Sequence, residues 1–404
     1  MKLHRFGPTV ALAMAASLAL AACGDDAPTQ TAESADQGSA AEETTEDTAA
    51  EDTAGGTEGD AGAEESEAPA AGGSGYTPME GLSGDVKGSG ASSQESAMGA
   101  WIAGYQGVQP DVAVSYDPIG SGGGRENLIA GAVDFAGSDA YLDEKEREAV
   151  KETCGDGGAF HIPVYISPVA VPYNLPGVDN LQLKPDTLAK IMNQDITTWN
   201  DEAIAADNPD AELPDSEITV VHRSDDSGTT ENFMEYLSAA APDSWPHEAD
   251  KAWPVPAEAA AQTTGVIQVI EATEGAIGYA DASAVTGQSA AIGVGEEFVS
   301  YSAGAAAKVV DASEPADTGV EGDLALDLAR DTTESGAYPI VLVSYHIACT
   351  AYDDADRANA VKDFLHYVVS EEGQAEAEGA AGSAPISADL REQANSLIDT
   401  IQGG

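Results

Sequence analysis

Val112, Val114 and Tyr116 alternate with small or polar residues, the period-two pattern of a half-buried strand. Apolar runs at Val164-Tyr165-Ile166 with Val169-Ala170-Val171, at Ile218-Thr219-Val220-Val221 and at Ile340-Val341-Leu342-Val343 predict further strands. Helical spacing governs Met98, Trp101, Ile102 and Tyr105, and again Phe233, Met234, Tyr236 and Leu237. Helices are also expected near Leu188–Met192 and Ala360–Val369. Strand-like and helix-like stretches alternate along the chain, which predicts an α/β protein and not a sandwich. No internal repeat is visible.

The N-terminal pattern is different in kind. Lys2, His4 and Arg5 precede an apolar run from Val10 to Ala22 that is short for a bilayer span and ends in small residues. Leu20-Ala21-Ala22-Cys23 has the form of a bacterial lipoprotein signal, so residues 1–22 are expected to be removed and Cys23 lipidated. A plain signal peptide ending near Ala22 is the alternative. From Gly24 to about Gly75 the chain is almost entirely Ala, Gly, Ser, Thr, Asp and Glu, without Lys or Arg. Such a segment buries too little to offset its ordering entropy and repels itself. Residues 23–83 are therefore expected to form a disordered acidic tether ahead of a folded part spanning 84–404, which is long enough for two lobes.

Charge narrows the partners. With 71 acidic against 16 basic residues and a net charge of −55, the chain is a poor match for nucleic acid or an anionic membrane surface. An anion ligand is compatible only if backbone N–H groups and hydroxyls hold it in a closed cleft. Three cysteines are present. With Cys23 lipidated, Cys154 and Cys349 remain as a pair in an oxidising setting and are expected to form a disulfide; two independent buried thiols are the alternative. There is no C-x-x-C, and the histidines show no zinc spacing, so no metal or cofactor is expected.

Four segments put small or hydroxyl-bearing residues where a helix begins. Gly88-Ser89-Gly90-Ala91-Ser92-Ser93-Gln94-Glu95 leads into the Met98 helix, with Ser92 and Glu95 spaced as a capping box. Gly120-Ser121-Gly122-Gly123-Gly124 follows the Val112 strand, and its glycines permit close backbone approach to a ligand. Ala136-Gly137-Ser138-Asp139 follows Val133 and Phe135. His222-Arg223-Ser224-Asp225-Asp226-Ser227-Gly228-Thr229-Thr230 joins the Ile218 strand to the Phe233 helix. Each alone also reads as a cap, a turn or a surface charge. Together, several helix N-termini and one arginine suit a small tetrahedral oxyanion.

The combination resembles the phosphate-binding proteins of high-affinity bacterial phosphate importers, the PstS family. Matching text includes Gly120-Ser121-Gly122-Gly123, Val133-Asp134-Phe135-Ala136-Gly137-Ser138-Asp139, Ile196-Thr197-Thr198-Trp199-Asn200-Asp201, Arg223-Ser224-Asp225-Asp226-Ser227-Gly228-Thr229 and Gly275-Ala276-Ile277-Gly278-Tyr279. The resemblance implies a two-lobed, periplasmic-binding-protein-like (type II) fold with the ligand cleft between lobes and two crossover strands. Lobe 1 would comprise 84–163 and 344–404, and lobe 2 164–343, with crossovers near Val164–Tyr173 and Tyr338–Ser344. Cys154 and Cys349 then fall in one lobe near the crossovers. It further implies capture of inorganic phosphate outside the cytoplasm and delivery to the permease subunits of an ABC importer, with no catalysis. Ser92, Ser93, Ser121, Ser227, Gly228 and Thr229 would contact phosphate, Arg223 would supply the cation with Asp225 supporting it, and Asp139 would accept the ligand's proton.

That last role would separate phosphate from sulfate, because sulfate has no proton to give and would leave two acceptors facing each other. The chain departs from the family in having Ser92-Ser93 where Thr-Phe is usual, and Asp226 where glycine is common. Aspartate tolerates left-handed geometry better than most residues, so the loop is expected still to form, with the extra carboxylate beside the anion site weakening binding or shifting its pH dependence. Two other readings stand beside it: a binding protein for another oxyanion or a phosphate sensor, and a secreted phosphatase or hydrolase. Against the last, neither G-x-S-x-G nor a P-loop occurs.

Overall fold

The structure, a computed structural model, describes residues 75–404. The expected signal peptide, Cys23 and most of the expected tether lie outside the described residues. Among the described residues, no helix is long and apolar enough to cross a membrane.

The first half of the fold alternates strands and helices: β1 (Gly84–Gly90), α1 (Glu95–Val108), β2 (Val112–Asp117), α2 (Ser121–Ile129), β3 (Phe135–Ser138), α3 (Glu144–Cys154) and β4 (Ala159–Ala170). The chain continues through β5 (Gln182–Leu183), α4 (Pro185–Met192), α5 (Glu202–Asp207), β6 (Thr219–Arg223), α6 (Gly228–Ala240), β7 (Glu258–Ala260), α7 (Gln262–Ala272), β8 (Ala276–Gly278) and β9 (Ala280–Asp281). A hairpin, β10 (Ala291–Val294) and β11 (Glu297–Val299), precedes α8 (Ala303–Asp311) and the short pair β12 (Glu314–Pro315) and β13 (Leu326–Asp327). The long strand β14 (Val341–Cys349) returns the chain to the first sheet, and α9 (Ala355–Val369), α10 (Glu371–Ala381) and α11 (Ala388–Ile398) close the fold.

Two sheets organise two lobes. The larger runs β2-β1-β3-β14-β4-β9, with β1 parallel to both β2 and β3 and β14 antiparallel to β3 and β4. The smaller is β7-β6-β8, all parallel. In each, the central strand came first in its unit and its neighbours flank it, which creates a crevice outside the strands' carboxyl ends. The expected strands and helices all form, and the chain is α/β as its pattern predicts and two-lobed as the family resemblance implies. The positions 163/164 and 343/344 fall inside β4 and β14, which are buried throughout and pair along nine residues.

Cys154 ends α3 and Cys349 ends β14, and the two form a disulfide with their Cα atoms 4.9 Å apart. Residues 75–83, placed ahead of the folded part on compositional grounds, lie against it. Tyr76 donates its hydroxyl to Asp363 Oδ2 at 2.7 Å and meets the Tyr367 ring edge-on, and the Met79 N–H reaches Asp363 Oδ1 at 2.9 Å. Asp363 is buried on α9, and three further groups complete its shell or its neighbourhood: the Tyr105 hydroxyl, the Gln109 amide and Phe364 beside Tyr105. Composition hid this contact because one tyrosine does the anchoring.

Candidate functional site

Five strand ends meet at the crevice. β1 delivers Ser92 and Ser93, β2 delivers Ser121 at the first turn of α2, and β3 delivers Asp139. From the facing lobe, β6 delivers Arg223, Asp225 and the start of α6, while β7 delivers Gln262 and Thr263 at the start of α7. Ser92, Ser93, Ser121, Asp139, Arg223, Ser227 and Thr229 are all buried, and Ser93, Ser121, Gly228 and Thr229 are brought together around Asp139.

Asp139 is the centre. Its Oδ1 accepts the hydroxyls of Ser93 at 2.6 Å and Ser344 at 2.5 Å, and its Oδ2 accepts that of Thr229 at 3.0 Å. Burial pushes its carboxyl above the usual carboxylate range, against those three donors and the charge of Arg223. Arg223 is the cation of the cluster. Its Nε donates to Asp225 Oδ1 at 2.8 Å and its Nη2 to Asp225 Oδ2. Burial alone would raise Asp225, but the bonds and charge of Arg223, with the Gln262 N–H at 2.9 Å, hold it below the usual range. The fork geometry of guanidinium and carboxylate fixes the arginine's plane.

Three serine hydroxyls, unlike that of Ser93, share one arrangement. Ser121 Oγ accepts the N–H of Asp139 at 3.1 Å, Ser227 Oγ caps α6 by accepting the N–H of Thr230 at 3.2 Å, and Ser92 Oγ accepts the N–H of Thr263 at 3.2 Å. With a backbone donor on its lone pair, each hydroxyl keeps its proton for an acceptor, which is what an anion site requires. Ser92 departs from expectation. The capping box does not form: the α1 N-cap is Gln94, without a side-chain cap, and the Ser92 hydroxyl faces Thr263 Oγ1 at 3.0 Å across the crevice. The pull is the facing α7 start, a non-local partner that spacing along α1 does not reveal.

The lobes touch here. Gly228 lies so close to the first lobe that an added Cβ would fall 2.6 Å from Ser121 Oγ and 2.7 Å from Asp139 Cβ. Asn232 Nδ2 donates to the Asp139 carbonyl at 2.6 Å, Gly122 N–H to the Asp226 carbonyl at 3.2 Å and Gln262 Nε2 to the Pro118 carbonyl at 2.8 Å. The glycines of α2 serve this contact, since a Cβ at Gly122 would fall 2.6 Å from Asp226 Cβ.

Asp226 lies in the loop between β6 and α6. Its carboxylate is half exposed and pairs with Lys251 Nζ at 3.1 Å, so its charge is met outside the cluster. Among the described residues the positive-φ positions other than glycine are Gln194 and Gln262, so the loop at Asp226 forms without left-handed backbone there. Gln262, at φ 62°, uses that geometry to aim its N–H at Asp225. Gln94, Asn232, Gln262, Thr263 and Ser344 complete the site and were not singled out from sequence. Gln94 lies inside the first quoted segment and Ser344 at the end of an expected crossover, but neither position gives a chemical signal.

Comparison with known proteins agrees with this fold. The family model described as a PBP superfamily domain matches residues 39–372. The phosphate-binding protein PstS 3 of Mycobacterium tuberculosis (strain ATCC 25618 / H37Rv) is 32% identical over 409 residues, covering 99% of this chain and 100% of the relative. PstS 3 of Mycobacterium leprae (strain TN) is 33% identical over 324 residues, covering 78% of this chain and 86% of its own. Among solved structures, a high-affinity periplasmic phosphate-binding protein (PfluDING) bound with phosphate aligns with a TM-score of 0.64 at 22% identity, over 78% of this chain and 93% of that one, which is a likeness of fold. With its full length aligned to a PstS protein at this identity and its fold that of the superfamily, the chain belongs to the PstS family of phosphate-binding proteins.

Proposed function

We propose that this protein is an extracytoplasmic solute-binding protein that captures inorganic phosphate between its lobes and delivers it to the permease subunits of a phosphate ABC importer. One observation carries the reading: a buried carboxylate, Asp139, lies within the charge influence of a buried guanidinium, Arg223, among hydroxyls that keep their protons for an acceptor. The helix starts of α2, α6 and α7 add N–H groups and positive dipole ends. The names of the relatives support the same ligand.

Each group then has a role. Arg223 offers Nη1, since Nε and Nη2 are held by Asp225. Ser92, Ser121 and Ser227 would donate from their hydroxyls, and Ser93, Gly228 and Thr229 from backbone N–H groups, since the Ser93 and Thr229 hydroxyls donate to Asp139. Asp139 Oδ2 takes one protein hydrogen bond against two at Oδ1, so it accepts the ligand's proton. Lobe 1 (84–163 with 344–404) and lobe 2 (164–343) would close over the ligand by bending along β4 and β14. Residues 1–22 as a lipoprotein signal and Cys23 as the lipidated residue would anchor the protein at the outer face of the cell membrane.

Isothermal titration of protein freed of carried-over phosphate tests the reading. Saturable binding of phosphate without a sulfate response is the expected outcome, and Asp139→Asn should admit sulfate. A folded, stripped protein that takes up no phosphate would overturn it.

A further inference from the structure

We infer that Gln94 and Ser344 form a one-way hydrogen-bond relay that holds Asp139 as an acceptor-only carboxylate, and that this relay sets the exclusion of unprotonated oxyanions such as sulfate. The inference rests on the phosphate-capture reading above and assigns its specificity to two residues behind the site.

The direction of the relay follows from its fixed end. The backbone carbonyl of Tyr345 accepts only, and it faces Gln94 Nε2 at 3.3 Å, so that atom is the amide nitrogen. The same nitrogen donates to Ser344 Oγ at 2.5 Å. Gln94 Oε1 then faces His346 Nε2 at 3.1 Å and needs a proton from it, which assigns the ring's hydrogen to Nε2. Burial holds His346 neutral, with its pKa lowered to about 3, and Nδ1 meets no partner. Ser344, receiving a proton from Gln94, gives its own to Asp139 Oδ1. Reversing this last bond would leave the Ser344 proton without an acceptor in a fully buried place.

The fold provides the alignment. Ser344 and His346 are two apart on β14 and share the face covered by Gln94 at the head of α1. The pairing of β14 with β4 shifts register between Ser344 and Tyr345, opposite the end of β3 that carries Asp139. Of the hydrogen bonds that lower Asp139, that of Ser344 is the largest. Other titratable or charged groups face Asp139 from the remaining elements: Arg223 with Asp225 behind it, and Tyr116, whose phenol burial keeps protonated. A cavity of about 100 Å³ on the outer side joins Asp139 to Asp143, Glu231, Glu235 and Arg330. Burial pushes Glu231 up to about 7, so it titrates in the range where the test is run.

Removing one donor to a carboxylate raises the pH at which it takes a proton, by about one to two units for a charge-assisted bond. Protonated Asp139 is a donor and accepts sulfate as a partner. Wild type, Ser344→Ala, Gln94→Met and the hydroxyl-retaining Ser344→Thr are titrated with inorganic phosphate and with sulfate from pH 8 to pH 5 at constant ionic strength. Each is repeated with Glu231→Gln, to remove that group's titration. Wild type and S344T should bind phosphate and reject sulfate throughout. S344A and Q94M should acquire sulfate binding that strengthens about tenfold per unit as pH falls, with or without E231Q. If both variants reject sulfate down to pH 5 as wild type does, while phosphate binds, the relay is refuted and phosphate capture stands. If wild type itself binds no phosphate, the capture reading falls and the relay with it.

Discussion

A single methyl group placed at Gly228 should hold the lobes apart. The backbone there is outside the left-handed region, so alanine fits the helix start itself. What it does not fit is the facing lobe: its Cβ would sit 2.6 Å from Ser121 Oγ, 2.7 Å from Asp139 Cβ and 3.0 Å from Ser121 Cβ. Ordinary contact begins near 3.4 Å or beyond, and Asp139 Cβ is fixed to β3 and has no rotamer to escape into. The surfaces must therefore part by about 1 Å. That displacement takes the Thr229–Asp139 bond from 3.0 Å and the Asn232–Asp139 bond from 2.6 Å beyond bonding distance. One of these is charge-assisted, so together they are worth about 3 kcal/mol of the closed form, or on the order of 100-fold in affinity.

The open form is untouched by this clash, and replacing glycine by alanine in a helix favours folding by about 0.5–1 kcal/mol. Gly228→Ala should therefore lose phosphate affinity on the order of 100-fold while the ligand-free protein melts at or slightly above the wild-type temperature. Calorimetric titration reads the first and thermal unfolding the second. Small-angle scattering in saturating phosphate should also give a larger radius than wild type. Wild-type affinity in a folded G228A protein would refute both the closed contact and its part in capture.

Two further outcomes follow from buried polar groups. A chain starting at Gly84 should be less stable by about 3 kcal/mol in urea than one starting at Gly75, since Asp363 loses the donors Tyr76 and Met79 from its buried carboxylate; equal stability would mean that these contacts contribute nothing. His346 is held neutral with a pKa near 3 against 6.5 for an ordinary histidine, so its folded pKa is depressed and its stability, full above 6.5, is lost as pH falls toward 3. At pH 4.5 that loss is about 3 kcal/mol at 1.36 kcal/mol per unit. Asp281, raised by burial to about 6, acts with the opposite sign, gaining stability as pH falls. Because wild type and His346→Gln share Asp281, the difference between their urea stabilities at pH 7 and pH 4.5 isolates His346; an unchanged difference would mean that the ring is not neutral in the fold.

The folded pattern was legible where local chemistry sets it. Val112, Val114 and Tyr116 form β2, Met98 and Trp101 are the buried face of α1, and Arg223 finds Asp225 two residues away. Partners that arrive from distant parts of the chain were not legible. Ser92 lies 171 residues from Thr263, and Ser344 lies 205 residues from Asp139; neither pairing leaves a mark in spacing. Asp226 shows the same limit in reverse. Its neighbours in sequence suggested a charge in the anion site, whereas Lys251, brought alongside by the loop after α6, takes that charge outward.

A chain of net charge −55 holding an anion is consistent once the charges are assigned to partners. Near the crevice Asp225 is committed to Arg223 and the Gln262 N–H, and Asp226 to Lys251. Asp139 is the one carboxylate that faces the converging hydroxyls, and there a negative charge selects for a ligand with a proton to give. The remaining excess lies beyond these contacts, where exposed charges are screened within a Debye length of about 8–10 Å at moderate salt. Close donors act below that distance, so affinity belongs to the hydroxyls, N–H groups and Arg223, while the diffuse negative field opposes the ligand's approach. The association rate for phosphate should rise with ionic strength, and the dissociation rate should change little. A rate of association that instead falls as salt is added would mean that the crevice presents a net positive field, and that cations beyond Arg223 take part in drawing the ligand in.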